Sequence, residues 1–422
     1  MLRKHRGLVS ITVLLLLYGC QRGPRQLMVH ELPPPTRDAS LVPQMASLGP
    51  QRFVLSWQTP LPDGGYQFMM AIRDGDQWSE VRRIAGGPNL SMFSADLPGI
   101  AALPGGGLLA YWELKDARDG DRYGTAIQTS ASWDEGKTWS APLRPYADAL
   151  AGQHSFLSWF PSKSGIGLVW LDAQQQAEVQ SILMKKGTKR DDSLGAIGLR
   201  YTAFDAKGAP TGGSFIDPIT CECCPTSAAV TDRGPVVVYR GRKDPQGTKS
   251  SEVRHDLPTI RDIYITRLES GRWTTPHLVH QDNWVINGCP DNGPAVDAAA
   301  DDVVVAWWTR SGGPPKVQVA FSRTAGDTFG SAQRIDQGKA EGQVTVALLP
   351  GGDAAVAGWL EDGRTWARFV SVSGDMGPPI QLGVAPRHSR LPRWIADQKG
   401  LAAAWTTQNL GVRRIKVSRI DF

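Results

Sequence analysis

Beyond its first twenty residues this 422-residue chain has no apolar run of membrane-spanning length, so the rest is expected to be soluble. Charge of one sign is missing too. The 46 Lys and Arg include Arg3, Lys4 and Arg6 at the N-terminus, and the remainder nearly balance the 41 Asp and Glu. That balance offers no electrostatic case for binding nucleic acid. Histidine is scarce, with seven and none at paired spacing, so no zinc-protease or serine-triad signature exists. Gly105-Gly106-Gly107 lacks the strand-to-helix setting of a phosphate loop and reads as a hairpin turn. What is present is 46 Gly, 30 Pro and 15 Trp, a composition suited to short strands, tight turns and bulky packing between sheets.

The N-terminus carries the basic residues and then the apolar run Leu8–Leu17, too short to span a bilayer comfortably and typical of a signal peptide. Its end, Leu17-Tyr18-Gly19-Cys20, resembles the bacterial lipobox. The resemblance implies cleavage before Cys20 and lipid on that cysteine, each buried methylene adding about 0.8 kcal/mol of membrane affinity. Gln21, rather than Asp, resembles the outer-membrane-sorted class. The expected organisation is a signal peptide over 1–19, a lipidated cysteine and Pro-rich tether over 20–37, and one domain over 38–422. The expected location is the bacterial cell envelope, lipid-anchored at the outer membrane and facing the periplasm or the exterior.

One element recurs along the chain: a short apolar strand, a Gly- or Asp-rich turn, then a β-rich strand ending in an aromatic residue. The second strands end at Trp57, Trp112, Trp170, Tyr239, Trp307, Trp359 and Trp405, giving seven copies. Turns such as Pro104–Gly107, Asp232–Gly234 and Pro350–Asp353 are hairpin signals. A third strand follows each pair, and a fourth follows turns bearing Trp78, Trp139, Trp273 and Phe329. Four-stranded antiparallel units of roughly fifty residues are the blades of a β-propeller, so the fold class is all-β with seven blades. The last unit lacks a fourth strand, and the segment Gln26–Leu32 is expected to supply it and close the ring.

Ser132-Trp133-Asp134-Glu135-Gly136-Lys137-Thr138-Trp139 resembles the Asp-box of sialidases and their relatives, S-x-D-x-G-x-T-W, at every specified position. Ser322–Phe329 is a degraded copy without the aspartate. Asp134 and Ser132 are suited to bond turn amides, Gly136 to take positive φ, Thr138 to complete the turn and Trp139 to pack between blades. In that family the box is a structural turn away from the active site. Its enzymes have six blades, the alternative to the seven counted here.

Strand direction sorts the loops by face. Turns between strands one and two, and three and four, are short and lie on one side. The other side receives the long insertions Lys115–Tyr123, Met184–Arg200 and Arg240–Asp262, and scaffold-borne long loops are where ligands bind. Cysteines fall on that same side. Cys221-Glu222-Cys223-Cys224-Pro225 leads into one blade and Gly288-Cys289-Pro290-Asp291-Asn292 into the next, so the two are expected to be close. Disulfide bonding, with two bridges and open connectivity, is the first expectation in an oxidising envelope. A soft-metal site, copper(I) or zinc, with His154 or His388 joining the thiolates, is the second, and a redox-active pair the third. No cofactor is otherwise expected.

The sialidase resemblance implies three arginines holding a carboxylate, a tyrosine nucleophile assisted by a glutamate, and an aspartate acid/base. Candidate arginines at the mouth are Arg240, Arg310, Arg387, Arg390 and Arg393, and candidate acids are Glu113, Asp172, Asp291 and Glu361. The family's F/Y-R-I-P motif is absent, Arg83-Ile84-Ala85 being the nearest fragment, and Tyr239 occupies a core position. The sequence therefore supports the fold and not the activity. The expectation is a monomeric, non-catalytic envelope propeller that binds a glycan, a metal or a protein partner at its cysteine-bearing face, with a sialidase-type glycoside hydrolase as the alternative.

Overall fold

The computed structural model describes residues 26–90, 97–116, 124–147, 150, 152–245, 247–386, 389–397 and 400–422. The signal peptide, Cys20, Arg387, His388 and most of the Lys115–Tyr123 insertion lie outside them. Among the described residues no helix is long and apolar enough to cross a membrane.

Seven four-stranded antiparallel blades follow one another around an axis. Their innermost strands are Leu41–Gly49, Gly99–Ala102, His154–Ser162, Ser227–Thr231, Ala295–Ala299, Ala340–Leu348 and Ile395–Asp397, for blades 1 to 7. In blade 2 the outer edge is reduced to a bridge between Thr129 and Leu143. Blade 7 borrows its outer strand from the other end of the chain: Met28–Leu32 pairs with Val412–Asp421, Met28 opposite Asp421 and Leu32 opposite Val417. The tether expected over 20–37 is thus shorter. Its second half is tied into the ring, with Trp78 Nε1 donating to Pro33 O and Arg414 Nε to Arg37 O.

Each sheet is apolar on both faces because it is packed between two neighbours, and the core is correspondingly divided into seven clusters, one per pair of adjacent blades. The cluster between blades 7 and 1 joins Trp57 and Leu55 to Ala404 and Val417, so the two ends of the chain share a core as well as a strand pair. The aromatic residue ending each second strand is buried in one of these clusters, and truncating such a ring to Ala costs about 3–5 kcal/mol. A buried indole N–H needs an acceptor. Trp170 donates to Asp172 (3.0 Å), Trp359 to Glu361 (2.7 Å) and Trp307 to Asp282 (2.8 Å), while Tyr239 OH donates to Asp217 (2.7 Å).

The two faces differ as the strand directions require. On the turn face, Arg52 at the first hairpin of blade 1 reaches Glu135 in the Ser132–Trp139 turn of blade 2 (2.5 Å). In that turn Ser132 Oγ accepts from Gly136 N (2.9 Å), and Asp134 accepts from Thr138 N and Thr138 Oγ1 (2.9 and 2.6 Å). Gly136 has φ +81°, and a Cβ there would meet Met70 Sδ of blade 1 at 2.5 Å. The copy in blade 5 keeps the same pattern without an aspartate. Ser322 Oγ accepts from Gly326 N (3.0 Å), and Thr324 Oγ1 takes the carboxylate's place, accepting from Thr328 N (3.0 Å).

On the loop face, the insertions of blades 3 and 4 fold against each other. The helix Gln174–Lys185 holds the following loop through Gln180, whose Nε2 donates to Asp191 O and Leu194 O. That loop bonds the blade 4 insertion through Ala196 N to Ser250 O and through His255 N to Ser193 O, both 2.8 Å.

Candidate functional site

The cysteine loops meet under this cap. Cys221 N donates to Arg240 O (3.1 Å), which lays the loop across the end of blade 4's second strand, and Cys223 forms a disulfide with Cys289. The bridge joins the segments leading into blades 4 and 5, with Cα atoms 6.0 Å apart. Cys289 thus pairs with Cys223 rather than with Cys224, its counterpart in the repeat. Cys221 and Cys224 remain as thiols, both buried, with sulfurs 3.4 Å apart. Cys221 Sγ is also 3.9 Å from Cys223 Sγ.

Cationic side chains surround the thiols. Arg261, fully buried, makes a two-pronged contact with Glu222 (2.7 and 3.3 Å) and donates to Thr259 Oγ1. Arg242 pairs with Asp244 (2.5 and 3.2 Å), lies 3.2 Å from His255 Nδ1 and 3.7 Å from Glu222. Burial alone would push the Glu222 carboxyl up, but hydrogen bonding to His255 and the Arg261 guanidinium hold it at about 2. Burial likewise opposes ionisation of Cys221. Contact with Cys224, aided by Arg261 and Arg240, brings its thiol down, while burial and the neighbouring sulfur push Cys224 up.

The expected arginine clamp is not assembled. Arg240 is 1% exposed, and its guanidinium donates to three main-chain carbonyls: Asn292 O (2.9 and 2.8 Å), Arg261 O (2.6 Å) and Trp308 O (2.7 Å). It also stacks over Trp284, 5.1 Å from the ring centre. Arg240 is therefore a staple between blades 4 and 5, with no face left for a substrate carboxylate. Arg310 is exposed on a loop of blade 5, while Arg390 and Arg393 precede the inner strand of blade 7. The acids separate as well. Asp172 and Glu361 are fastened to their own tryptophans, and Glu361 also accepts from Gln337 N and Lys339 N. Glu113 is buried in blade 2. Asp291, at φ +47°, bends the loop after Cys289 and offers its carbonyl to Gln343. His154 does not join the thiols: it stacks on Tyr146 (4.3 Å) and lies 3.4 Å from Asp172.

What does converge lies on the axis. Residues at the starts of the innermost strands enclose a cavity of about 110 Å³ at the loop face, and Gln44, Trp159, Thr226, Gln343, Arg390 and Arg393 are among its walls. Pro225 and Gly293 also line it, so the cysteine loops form part of its rim. Deeper along the axis a second space of about 470 Å³ shares Met45, Trp159 and Arg393 with the first. Between them Arg393 crosses from blade 7 to Asp297 of blade 5 (2.5 Å) and to Ala228 O of blade 4 (3.2 Å). Three innermost strands carry a bulge at the mouth, with non-glycine residues at positive φ: Val42 (+49°), Phe156 (+61°) and Gln343 (+54°). Such bulges re-aim side chains and persist where surrounding contacts hold them. Here Asn292 Oδ1 accepts from Gln343 N (2.7 Å), and Gly342 is required beside it, since a Cβ would lie 2.0 Å from that oxygen. Gln343 is 6% exposed. Its Nε2 donates to Asp291 O, and its Oε1 accepts no hydrogen bond among the described residues.

No family model matches the chain, and no curated protein matches it. Among solved structures it is similar to the polysaccharide lyase Uly1, at 11% identity over 90% of this chain and 89% of that one, with a TM-score of 0.50. It is also similar to the Hadza microbial sialidase Hz136 (12%, 84% and 73%, 0.46) and to an α-L-arabinanase of Penicillium chrysogenum complexed with arabinobiose (14%, 83% and 99%, 0.46). The likeness is one of fold. It leaves the residues to be read from this chain's own geometry.

Sequence reasoning missed Glu222, Arg242, Arg261 and His255. Their only signal was position: Glu222 lies inside the cysteine motif, and the others lie in or beside the insertion that caps it. Gln343 carried no signal at all, because its role depends on a bulge. Chemically, the arrangement offers two separate things: an axial cavity with amide, hydroxyl, aromatic and guanidinium groups, and a buried sulfur cluster in the wall beside it.

Proposed function

We propose that the protein is an envelope propeller, anchored through lipid on Cys20, that binds the end of a glycan at the axial mouth of its loop face. The observation that carries this reading is the axial cavity, whose walls hold Gln343, a nearly buried amide with an oxygen that accepts no hydrogen bond among the described residues, beside Trp159 and Arg390. Buried polar groups are ordinarily satisfied, so an acceptor held in a cavity by a bulge suits a ligand hydroxyl. Trp159 adds an apolar face, and the positive charge of Arg390 in the same wall favours a sugar bearing a carboxylate. The glycan-processing names among the fold neighbours are in keeping with that ligand class. The scattering of Arg240, Arg310, Asp172 and Glu361 favours binding over glycoside hydrolysis.

Calorimetric titration of the purified protein with neutral and uronate- or sialate-bearing oligosaccharides tests the proposal. Binding of the acidic sugars that is lost in Gln343→Leu and Trp159→Ala, with folding intact by near-UV circular dichroism, is expected. Absence of binding to either class, or binding unaltered in both variants, overturns it. Turnover of a fluorogenic sialoside would establish the hydrolase instead. The anchor is tested separately: Cys20→Ser is expected to move the protein from the detergent phase to the aqueous phase.

A further inference from the structure

We propose that Cys221 and Cys224 form a binding site for a soft monovalent cation, copper(I), in the wall between blades 4 and 5. This does not depend on the glycan reading, since the two sites share a rim but no residue. The thiols are three residues apart, buried, and held with their sulfurs 3.4 Å apart. Two sulfurs bound to one ion at about 2.3 Å each, with a tetrahedral angle between them, lie about 3.8 Å apart. The observed pair opens to that distance by a few tenths of an ångström, and by about 1 Å to the near-linear arrangement, about 4.6 Å between sulfurs, that an ion with two ligands prefers.

The identity of the ion follows from what else is within reach. Zinc requires four donors. Here Cys223 is the third sulfur of the group, but it is bonded to Cys289, and both Glu222 oxygens are held by Arg261. Two thiolates alone suit copper(I), a soft ion that accepts few ligands. Binding replaces two S–H bonds by two Cu–S bonds, releases two protons and leaves every oxidation state unchanged. The bound unit carries one net negative charge. Facing it are Arg240, whose hydrogen bonds all end on neutral carbonyls, and Arg261, already shared with Glu222; Arg242, His255, Asp244 and Asp262 complete the charged surroundings. The guanidinium groups nearby offset part of the cost of burying that charge.

The full chain, titrated anaerobically with copper(I) against a colorimetric copper(I) chelator, is expected to take one ion per molecule and to develop a thiolate-to-copper absorption in the near ultraviolet. Cys221→Ser and Cys224→Ser are each expected to lose the ion and the absorption. The double variant Cys223→Ser with Cys289→Ser, which removes the bridge without adding a thiol, is expected to keep both. Because the thiols are buried, protein refolded with copper(I) present is assayed beside the folded protein, and failure to load in either form overturns the site. So does a Cys221–Cys224 disulfide mapped in alkylated, unreduced native protein, or zinc bound in preference to copper(I).

Discussion

On the turn face of this propeller the turns are closed within themselves and linked across blades by ion pairs such as Arg52–Glu135, whereas on the loop face the loops are closed by partners far along the chain. On the turn face, Ser132, Asp134, Gly136 and Thr138 bond one another within seven residues, and Ser322, Thr324, Gly326 and Thr328 do the same three blades later. On the loop face, Cys223 is bonded to a residue 66 positions away, and Arg240 reaches main-chain oxygens 52 and 68 positions away. Local turns are autonomous: one residue can be exchanged for another that offers the same acceptor, as Thr324 stands in for an aspartate. Long-range staples are not, because each serves several segments at once. On the loop face, segments from several blades line one axial cavity.

Four measurements would break or sharpen that contrast. Arg240→Ala should have the largest effect, about 3–5 kcal/mol, because it strands the carbonyls of Asn292, Arg261 and Trp308 in the interior; chemical denaturation reads it. Arg240→Lys should be nearly as harmful, since an ammonium cannot bridge three oxygens in the plane of the fork. Cys289→Ser should cost about 2–4 kcal/mol through the freed loop and shift Tm in the same direction as reduction of the wild type.

Acid comes third. Glu222 is held at about 2 in the folded chain against an ordinary 4.5, so it contributes stability above about 4.5 that is lost as pH falls towards 2. The loss is on the order of 3 kcal/mol. Glu222→Gln should flatten that slope in denaturation curves taken between pH 5 and pH 2. Asp134 is also held at about 2, by the side chain and amide of Thr138, but it lies at the surface, so Asp134→Asn should change that slope less than Glu222→Gln does. Smallest of all, Ser132→Ala and Ser322→Ala should each cost about 1 kcal/mol, and by equal amounts within error. A marked inequality would show that the aspartate of the first turn does more than the threonine of the second.

Much of the fold was legible because its signals are local and repeated. Seven strands ending in Trp or Tyr gave the blade count, and the loose segment at Gln26–Leu32 matched the missing strand of the last unit, observed as Met28–Leu32 against Val412–Asp421. The side chains were harder. Asp172 and Glu361 looked like mouth acids because they follow the second strands, yet each lies two residues beyond a buried tryptophan and is the acceptor for its indole N–H. Arg240 looked like a clamp from the same kind of position, and burial turned it inward. In both cases the residue type and its place in the repeat were right, and the direction of the side chain was not contained in either.

The sequence by itself determined the repeat, the ring closure, the separation of short turns from long loops, and the meeting of the two cysteine segments, because all four follow from strand alternation and chain order. Only the tertiary structure decided which sulfurs bond, which arginines are spent on carbonyls and which amide oxygen is left without a hydrogen bond among the described residues. Those outcomes depend on distances between segments more than fifty residues apart, and on how much water each group loses when the blades close. No local pattern of residues encodes either quantity.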